Sequence, residues 1–316
     1  MRVVDAGEID RTLTYPALID ALARAFCARV EVPARHHHTV SREGGDATLL
    51  LMPAWTETGE RFLGCKMATI FPGNRQTGDP SVHATYVLMS GATGEPLAVM
   101  DARTLTAWRT AAASALAARY LARQDAAHLV MVGAGALAPH LVRAHASVRP
   151  ISRVTLWNRT RSRAVSLAFG LAVTGIETIV TDDLPAAVRT ADIVSCATLA
   201  SEPVIRGAWL KKGAHVDLVG AFTPKMRECD DQAMKRARVY VDTPTALKEA
   251  GDIARPLKSG AIKRADIRGD LSDLCSGRAK GRTSASQITL FKSVGTAIED
   301  LAAAILVWQK VGSVPA

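Results

Sequence analysis

The first residues suited to ligand chemistry form a glycine motif. In VMVGAGALAPH, Gly133, Gly135 and Ala138 give a G-x-G-x-x-A pattern. In a dinucleotide site the first glycine permits a tight turn, the second admits the pyrophosphate, and the small third residue lets a helix pack on a strand. An apolar strand precedes the motif, and a second strand follows about twenty residues later. The pattern therefore predicts a dinucleotide site, with the phosphate at the start of the following helix.

The residues after the second strand indicate which dinucleotide is bound. In VTLWNRTRSRA, the strand ends at Trp157 and Asn158 takes the position that reads the adenosine ribose. An acidic residue there would bind the 2′-hydroxyl of NAD and repel a 2′-phosphate. Asn158 removes that repulsion, and Arg159 and Arg161 can clamp the phosphate. We therefore predict NADP(H) rather than NAD(H); the alternative is a solvated first helical turn, to which we assign Arg163.

The composition limits the class of protein. The chain has 316 residues, of which 48% are hydrophobic and 22% are charged, which is typical of a globular protein with about two domains. The apolar run LAAAILVW is too short to cross a membrane, and MRVVDAGEID lacks the apolar core of a signal peptide, so we predict a cytoplasmic protein without a membrane partner. Five scattered cysteines without a CxxC pair argue for reduced thiols and against zinc. The net charge of +9 is spread along the chain, which favours anionic small molecules over nucleic acid.

The pattern of strands and helices changes near residue 125. Before it, ATLLLMPAW, FLGCKMATIF, SVHATYVLMS and PLAVMDA are separated by turn signals and follow a helix at 15–30, which predicts an antiparallel or mixed sheet with helices. After it, short apolar strands alternate with helices, which predicts a Rossmann-type doubly wound parallel sheet. The helix TAIEDLAAAILVWQK fits a final crossing back to the first domain. The predicted class is thus α/β with a second, discontinuous α+β domain.

Three longer segments carry a resemblance to a known family. They are TGEPLAVMDARTLTAWRTAAASALAARYLAR (94–123), VDLVGAFTPKMRE (216–228) and GRTSASQITLFKSVGTAIEDLAAA (281–304). The chain resembles the ornithine cyclodeaminase/mu-crystallin family, and its motifs are closest to the branch that reduces Δ1-pyrroline-2-carboxylate and Δ1-piperideine-2-carboxylate. The resemblance implies a substrate-binding and dimerisation domain at 1–120 and 294–316, an NADP-binding domain at 121–293, and a homodimer.

The resemblance also implies a basic clamp for the substrate carboxylate. The matching positions are Arg35 in VPARHHH, Lys66 in GCKMATIFPGN and Arg109 in LTAWRTAA. A bidentate arginine would fix the reacting carbon relative to the nicotinamide. The alternatives are a structural ion pair for Arg109 and solvated charges for Arg35 and Lys66.

One departure from the family bears on the reaction. Cyclodeaminases carry an aspartate in a GGD run after the fifth strand, whereas this chain reads GAF, with Phe222 at that position. A phenyl ring cannot act as a base or hold a substrate ammonium, but it suits a planar cyclic imine. We therefore predict NADPH-dependent reduction of these ketimines to L-proline and L-pipecolate. Lys66 either orients a proton-donating water or only holds the carboxylate.

Histidines in two strands are further candidates. In SVHATYVL, alternation places Ser81 and His83 on one face. The resemblance brings the hydroxyl of Ser81 near the substrate, so His83 is a candidate proton donor; a packed or dimer-facing histidine is the alternative. The run His36-His37-His38 alternates between faces and cannot converge on one ion, so we predict no metal site.

The remaining cofactor residues lie on loops. In FKSVG, Ser293 and Gly295 match the family loop that approaches the nicotinamide, and helix capping by Ser293 is the alternative. Thr223 is either a nicotinamide contact or an ordinary turn residue. The predicted cofactor set is completed by six residues: Thr110, Ala136, Leu137, Thr160, Thr198 and Gly220.

Three other functions remain open at this point. One is an L-alanine or other amino-acid dehydrogenase, which would need ammonia. The second is an ornithine cyclodeaminase, which Phe222 disfavours. The third is a non-catalytic NADPH-dependent small-molecule binder of the mu-crystallin type, against which the three basic residues argue.

Overall fold

A computed structural model describes residues 1–42, 45–59, 61–76, 79–172 and 175–312. The chain forms two compact units, which we call unit 1 (Met1–Thr110 with Thr296–Ala316) and unit 2 (Ala111–Gly295). The first boundary falls inside a helix, α3, at Ala102–Leu121. The domain limits 1–120 with 294–316, and 121–293, remain a prediction from the sequence.

Unit 1 contains a mixed sheet with the strand order β1-β7-β6-β5-β4-β2, and β3 also pairs with β4. Its strands are β1 (Arg2–Val4), β2 (Val30–Glu31), β3 (His36–Val40), β4 (Ala47–Thr56), β5 (Phe62–Ile70), β6 (Val82–Ser90) and β7 (Pro96–Asp101). Its other helices are α1 (Ala6–Thr12), α2 (Tyr15–Cys27) and α11 (Ala297–Val311).

Strand alternation gives the sheet of unit 1 one buried face. The register pairs Met52 with Lys66, Lys66 with Tyr86, and Tyr86 with Met100, so these four side chains point the same way. All four are buried. The helix α11 packs against β4, β5 and β6. The apolar stripes of α2 and α11 therefore form a core with this inner face.

Unit 2 contains a parallel sheet in the order β10-β9-β8-β11-β12-β15-β13-β14. Its strands are β8 (His128–Val132), β9 (Arg153–Trp157), β10 (Glu177–Val180), β11 (Ile193–Cys196), β12 (His215–Leu218), β13 (Ala237–Val241), β14 (Ile267–Asp270) and β15 (Ile288–Lys292). Its helices are α4 (Ala138–Ala146), α5 (Arg161–Leu171), α6 (Leu184–Thr190), α7 (Asp231–Arg236), α8 (Ala246–Glu249), α9 (Gly251–Ser259) and α10 (Leu271–Cys275). The prediction of a doubly wound parallel sheet beside an α+β unit is confirmed.

The order of strands in unit 2 creates a binding crevice. Every residue of β11 and β12 is buried, as expected for strands covered on both faces. The strand β8 lies between β9 and β11, so successive connections leave it in opposite directions. Ligands of open α/β sheets bind at the carboxyl ends of the strands at such a point.

Across the described ranges, no helix is long and apolar enough to span a bilayer.

Candidate functional site

The glycine motif lies at the carboxyl end of β8, in the crevice of unit 2. Gly133 has a φ of +102° and its amide donates to the carbonyl of Trp157 at 2.9 Å. A Cβ on Gly133 would stand 2.5 Å from the carbonyl oxygen of Ala197, so only glycine fits between the ends of β8 and β11.

The start of α4 can accept an anion. Gly135 and Ala136 are exposed, and a Cβ on Gly135 would meet no atom within 4 Å. Leu137 is the N-cap of α4 and makes no side-chain capping hydrogen bond, while Ala138 packs in the core. An open glycine loop before an uncapped helix N-terminus fits the pyrophosphate of a dinucleotide.

Asn158 connects the glycine loop to the arginine-rich turn. Its Oδ1 accepts from the amide of Ala134 at 3.2 Å, and its Nδ2 donates to the carbonyl of Thr160 at 2.8 Å. Arg159 is exposed, and Arg161 Nη1 lies 2.5 Å from Asp182 Oδ2 in an exposed ion pair. The turn therefore presents two arginines, one of which already contacts a carboxylate.

The loops after β11 and β12 hold other predicted cofactor residues. Thr198 donates from its amide and its hydroxyl to Glu228, and Gly220 donates from its amide to the same carboxylate. Phe222 is 48% exposed, so its ring is available to a ligand. The carbonyl of Thr223 accepts from the amides of Met226 and Gly251, which is the turn role considered from the sequence.

The FKSVG segment is fixed by a buried aspartate rather than by capping. The Ser293 hydroxyl and the amides of Val294 and Gly295 all donate to Asp242 Oδ2, at 3.1, 2.7 and 2.6 Å. The N-cap of α11 is Thr296, three residues after Ser293. The alternative that Ser293 caps this helix is therefore wrong, and its contact with the nicotinamide stays a prediction.

Unit 1 brings Lys66 and Arg109 together in a buried ionic cluster. Lys66 Nζ lies 2.6 Å from Asp300 Oδ2, and Arg109 Nε lies 2.9 Å from Asp300 Oδ1. Arg109 Nη1 also lies 2.5 Å from Glu299 Oε2. Both basic side chains are 6% exposed and both acids are fully buried. Lys66 and Arg109 thus each have a structural counterion.

Burial and the oppositely charged partners shift the pKa values of these groups in opposite directions. Burial lowers the pKa of Lys66 to about 8, although Asp300 opposes the shift. Burial alone would also lower the pKa of Arg109, but Asp300 and Glu299 raise it above its usual value. Burial would raise the pKa of Asp300, but Arg109 and Lys66 hold it below its usual range. Lys66 is therefore the basic group of the cluster whose pKa lies nearer to neutral pH.

The other candidates in unit 1 lie elsewhere on the sheet or beside the cluster. Thr110 follows Arg109 and is buried, whereas Arg35 precedes β3 and is partly exposed. His83 pairs with Thr69, three residues from Lys66 on β5, so His83 and Lys66 project from opposite faces. Ser81 directly precedes β6.

His36 and His38 project from the same face, with ring centroids 6.4 Å apart. Among the residues that the structure describes, no three His, Cys, Asp or Glu side chains are grouped so that they could hold a metal ion.

Sequence reasoning missed the acidic partners of the site. Glu299 and Asp300 are the only acids in AIEDLAAAILVW, and two adjacent acids in an apolar helix were a signal that buried cations were nearby. Glu228 and Asp242 carried no such signal, because Glu228 lies in a polar segment and Asp242 takes the ordinary place of a polar residue directly after a strand, β13.

Removing one acid of the cluster should destabilise unit 1. Asp300→Asn keeps the shape of the side chain but leaves Lys66 and Arg109 short of a negative charge, so we expect a loss of about 3–5 kcal/mol in the free energy of unfolding. Urea denaturation at pH 7 measures it. Asp182→Asn, which breaks the exposed pair with Arg161, is the control and should cost about 0–1 kcal/mol. Equal losses in the two variants would contradict the structural role of Asp300.

The chain is similar to known proteins over nearly its whole length. The family model of the ornithine cyclodeaminase/mu-crystallin family matches residues 3–314. A Δ1-pyrroline-2-carboxylate reductase of Colwellia psychrerythraea is 38% identical over 317 residues, covering 98% of this chain and 99% of the relative.

Two solved structures are similar over nearly the whole chain. One is the Δ1-pyrroline-2-carboxylate reductase of Thermococcus litoralis in complex with NADH and L-proline, with a TM-score of 0.93, 33% identity, and coverage of 98% of this chain and 97% of that one. The other is an archaeal alanine dehydrogenase dimer with bound NAD, with a TM-score of 0.90, 30% identity, and coverage of 99% and 96%. The chain belongs to the ornithine cyclodeaminase/mu-crystallin family, as its sequence motifs indicated.

Proposed function

We propose that this chain is an NADPH-dependent reductase of cyclic ketimine carboxylates. It would convert Δ1-pyrroline-2-carboxylate to L-proline and Δ1-piperideine-2-carboxylate to L-pipecolate. The observation that carries the proposal is Phe222, a half-exposed phenyl ring where cyclodeaminases of the family carry an acid. The Colwellia and Thermococcus relatives, both Δ1-pyrroline-2-carboxylate reductases, support the same class of reaction, reduction of a carbon–nitrogen double bond.

The reaction adds a hydride to the imine carbon and a proton to the nitrogen, so that C=N becomes CH–NH. When bound, NADPH supplies the hydride, and the chain supplies binding, orientation and the proton. Arg109 and Lys66 would hold the substrate carboxylate. An anion beside Lys66 would raise the pKa of its ammonium above about 8, which keeps it protonated at neutral pH.

Lys66 is better supported than His83 as the group that delivers the proton through a water. Lys66 shares a cluster with Arg109, the other carboxylate-binding candidate. His83 projects from the opposite face of the same sheet, away from that cluster. Arg35 and Ser81 remain proposed substrate contacts on the grounds of the family motif.

The carboxylate-binding residues also bear on the other functions. A pure binder of the mu-crystallin type would have no need of the carboxylate clamp proposed here for Lys66 and Arg109. An ornithine cyclodeaminase would need an acid or base where Phe222 stands. The dehydrogenase alternative has specific support, because the similar archaeal structure is an alanine dehydrogenase.

Initial rates test the proposed reaction directly. The purified chain would be assayed for NADPH oxidation with each cyclic imine, and with pyruvate plus ammonia, at pH 7. We expect the imines to be the faster substrates because Phe222 offers an apolar wall to a neutral ring. Faster turnover of pyruvate with ammonia would establish the dehydrogenase instead, and no turnover with either imine would refute the proposal.

We propose NADPH over NADH on the basis of Asn158, Arg159 and Arg161. Each charge-assisted hydrogen bond to a 2′-phosphate contributes roughly 1.5–3 kcal/mol, so two of them outweigh the exposed pair with Asp182. Against this preference, the structure of the Thermococcus relative contains NADH.

Removing the two arginines should change cofactor choice. In Arg159→Ala/Arg161→Ala we expect the KM for NADPH to rise about tenfold or more while the KM for NADH changes less than about twofold, because only the phosphate contacts are lost. Arg163→Ala, an exposed arginine in the first turn of the same helix α5, is the matched control and should alter neither value. A similar rise in KM for both cofactors would show that the arginines do not bind the 2′-phosphate.

We further propose that the chain is a homodimer that buries the outer face of the unit 1 sheet. On the face opposite Lys66, apolar residues stand in register across four strands: Leu51, Pro53, Trp55, Leu63, Cys65, Met67, Val87, Met89 and Val99. None is fully buried, and Met67 is 40% exposed. A contiguous apolar surface of this kind marks a protein interface. The archaeal alanine dehydrogenase is described as a dimer.

A charge on this face should separate the protomers. Met67→Glu leaves the inner core untouched but places a carboxylate within the apolar face, so we expect the mass from light scattering to fall from two chains to one. Phe169→Glu, at a 76% exposed residue of α5 in unit 2, is the control and should leave the dimer intact. A dimeric Met67→Glu variant would place the interface elsewhere.

A further inference from the structure

Glu228 connects two loops at the carboxyl edge of the parallel sheet. Its Oε1 accepts from the amide and the hydroxyl of Thr198, at 2.7 and 2.9 Å. Its Oε2 accepts from the amides of Gly220 and Ala221, at 2.7 and 3.2 Å. Thr198 follows β11 and Gly220 follows β12, so one fully buried carboxylate holds the ends of two adjacent strands.

The loop after β12 packs on the loop after β11, which in turn packs on the glycine motif. A Cβ on Gly220 would stand 2.0 Å from the carbonyl oxygen of Thr198, and a Cβ on Gly133 would stand 2.5 Å from that of Ala197. Glu228 therefore belongs to a continuous series of contacts that ends at the dinucleotide motif. A shift of the loop after β11 would therefore move the backbone atoms that pack against Gly133.

The charge of Glu228 is balanced from within unit 2. Lys292 Nζ, from β15, lies 3.6 Å from Glu228 Oε2 and 3.3 Å from Asp252 Oδ2, and all three side chains are fully buried. Asp252 Oδ1 accepts from the amides of Glu228 and Cys229. Asp252 thus shares the cation and the burial of Glu228, and its Oδ1 holds the backbone at Glu228 and Cys229, whereas the Glu228 carboxylate holds Thr198, Gly220 and Ala221.

We propose that Glu228 is a positioning residue that fixes the loops after β11 and β12 for binding of the nicotinamide cofactor. The inference rests on the proposed use of such a cofactor by the chain. A carboxylate is required at this place because donors approach both of its oxygens. A glutamine would present its NH2 group to one set of donors and lose those hydrogen bonds.

Cofactor binding without imino acid tests the role. NADPH and NADH are titrated separately into wild type, Glu228→Gln and Asp252→Asn, with the dissociation constant read from nucleotide fluorescence and the thermal midpoint from circular dichroism. Asp252→Asn is the matched control, because it weakens the same buried cation pair while the asparagine Oδ1 can still accept from the amides of Glu228 and Cys229, which leaves the contacts of Glu228 with Thr198 and Gly220 in place. As the titration contains no imine, absence of reductase activity would leave its result interpretable.

We expect Glu228→Gln to raise the dissociation constants of both cofactors about tenfold or more, since two or more hydrogen bonds to the loops are lost. Asp252→Asn should lower the thermal midpoint but leave both dissociation constants within about twofold of wild type. Unchanged affinity in Glu228→Gln, or equal weakening in Asp252→Asn, would overturn the proposal and assign the cluster to stability alone.

A milder pair of variants covers the case in which Glu228→Gln does not fold. Thr198→Val removes the hydroxyl donor to Glu228 and keeps the amide, so we expect several-fold weaker cofactor binding. Thr198→Ser restores the hydroxyl and should restore affinity. Equal affinity in the valine and serine variants would show that the contact with Glu228 does not position the loop.

Discussion

Both units of this chain bury charged side chains, and each buried charge must meet an opposite charge or several hydrogen bonds. In unit 1, Asp300 lies between Lys66 and Arg109 and accepts from both. In unit 2, Asp242 accepts three backbone amides and a hydroxyl. Because these groups must be satisfied together, the acids fix where the basic side chains and the loops of the proposed sites lie.

This constraint bears on how a substrate carboxylate would bind. The cluster of Lys66, Arg109, Asp300 and Glu299 already balances two positive charges with two negative ones. A third carboxylate gains attraction from both cations but is repelled by both acids, so the net affinity is modest. The larger effect would be orientation, because side chains already held by Asp300 and Glu299 would lose little freedom on binding a substrate. A fixed clamp of modest affinity would suit an enzyme that must release an amino-acid product.

The sequence predicted those features that depend on local order. The alternation of strands and helices is a property of neighbouring residues and predicted the parallel sheet correctly, and the glycine motif lies between β8 and α4, where such a motif is expected. The contact of Lys66 with Asp300 spans 234 positions, so spacing could not reveal it. Likewise, alternation placed Ser81 and His83 on one face, but only the pairing of Lys66 with Tyr86 shows that Lys66 faces the other way. Long-range register and charge pairing were the parts that required the structure.

Asp182 explains how an arginine-rich turn can exist before any phosphate is bound. Arg161 pairs with Asp182 where both side chains are more than half exposed, so the pair contributes about 0–1 kcal/mol. A 2′-phosphate carries more charge and three acceptor oxygens, and its hydrogen bonds to arginine are stronger. Exchange of the carboxylate for a 2′-phosphate would therefore be favourable, and it would also relieve repulsion among the neighbouring arginines. Asn158, whose side-chain amide is bound to the backbone at both ends, would keep the turn in place during that exchange.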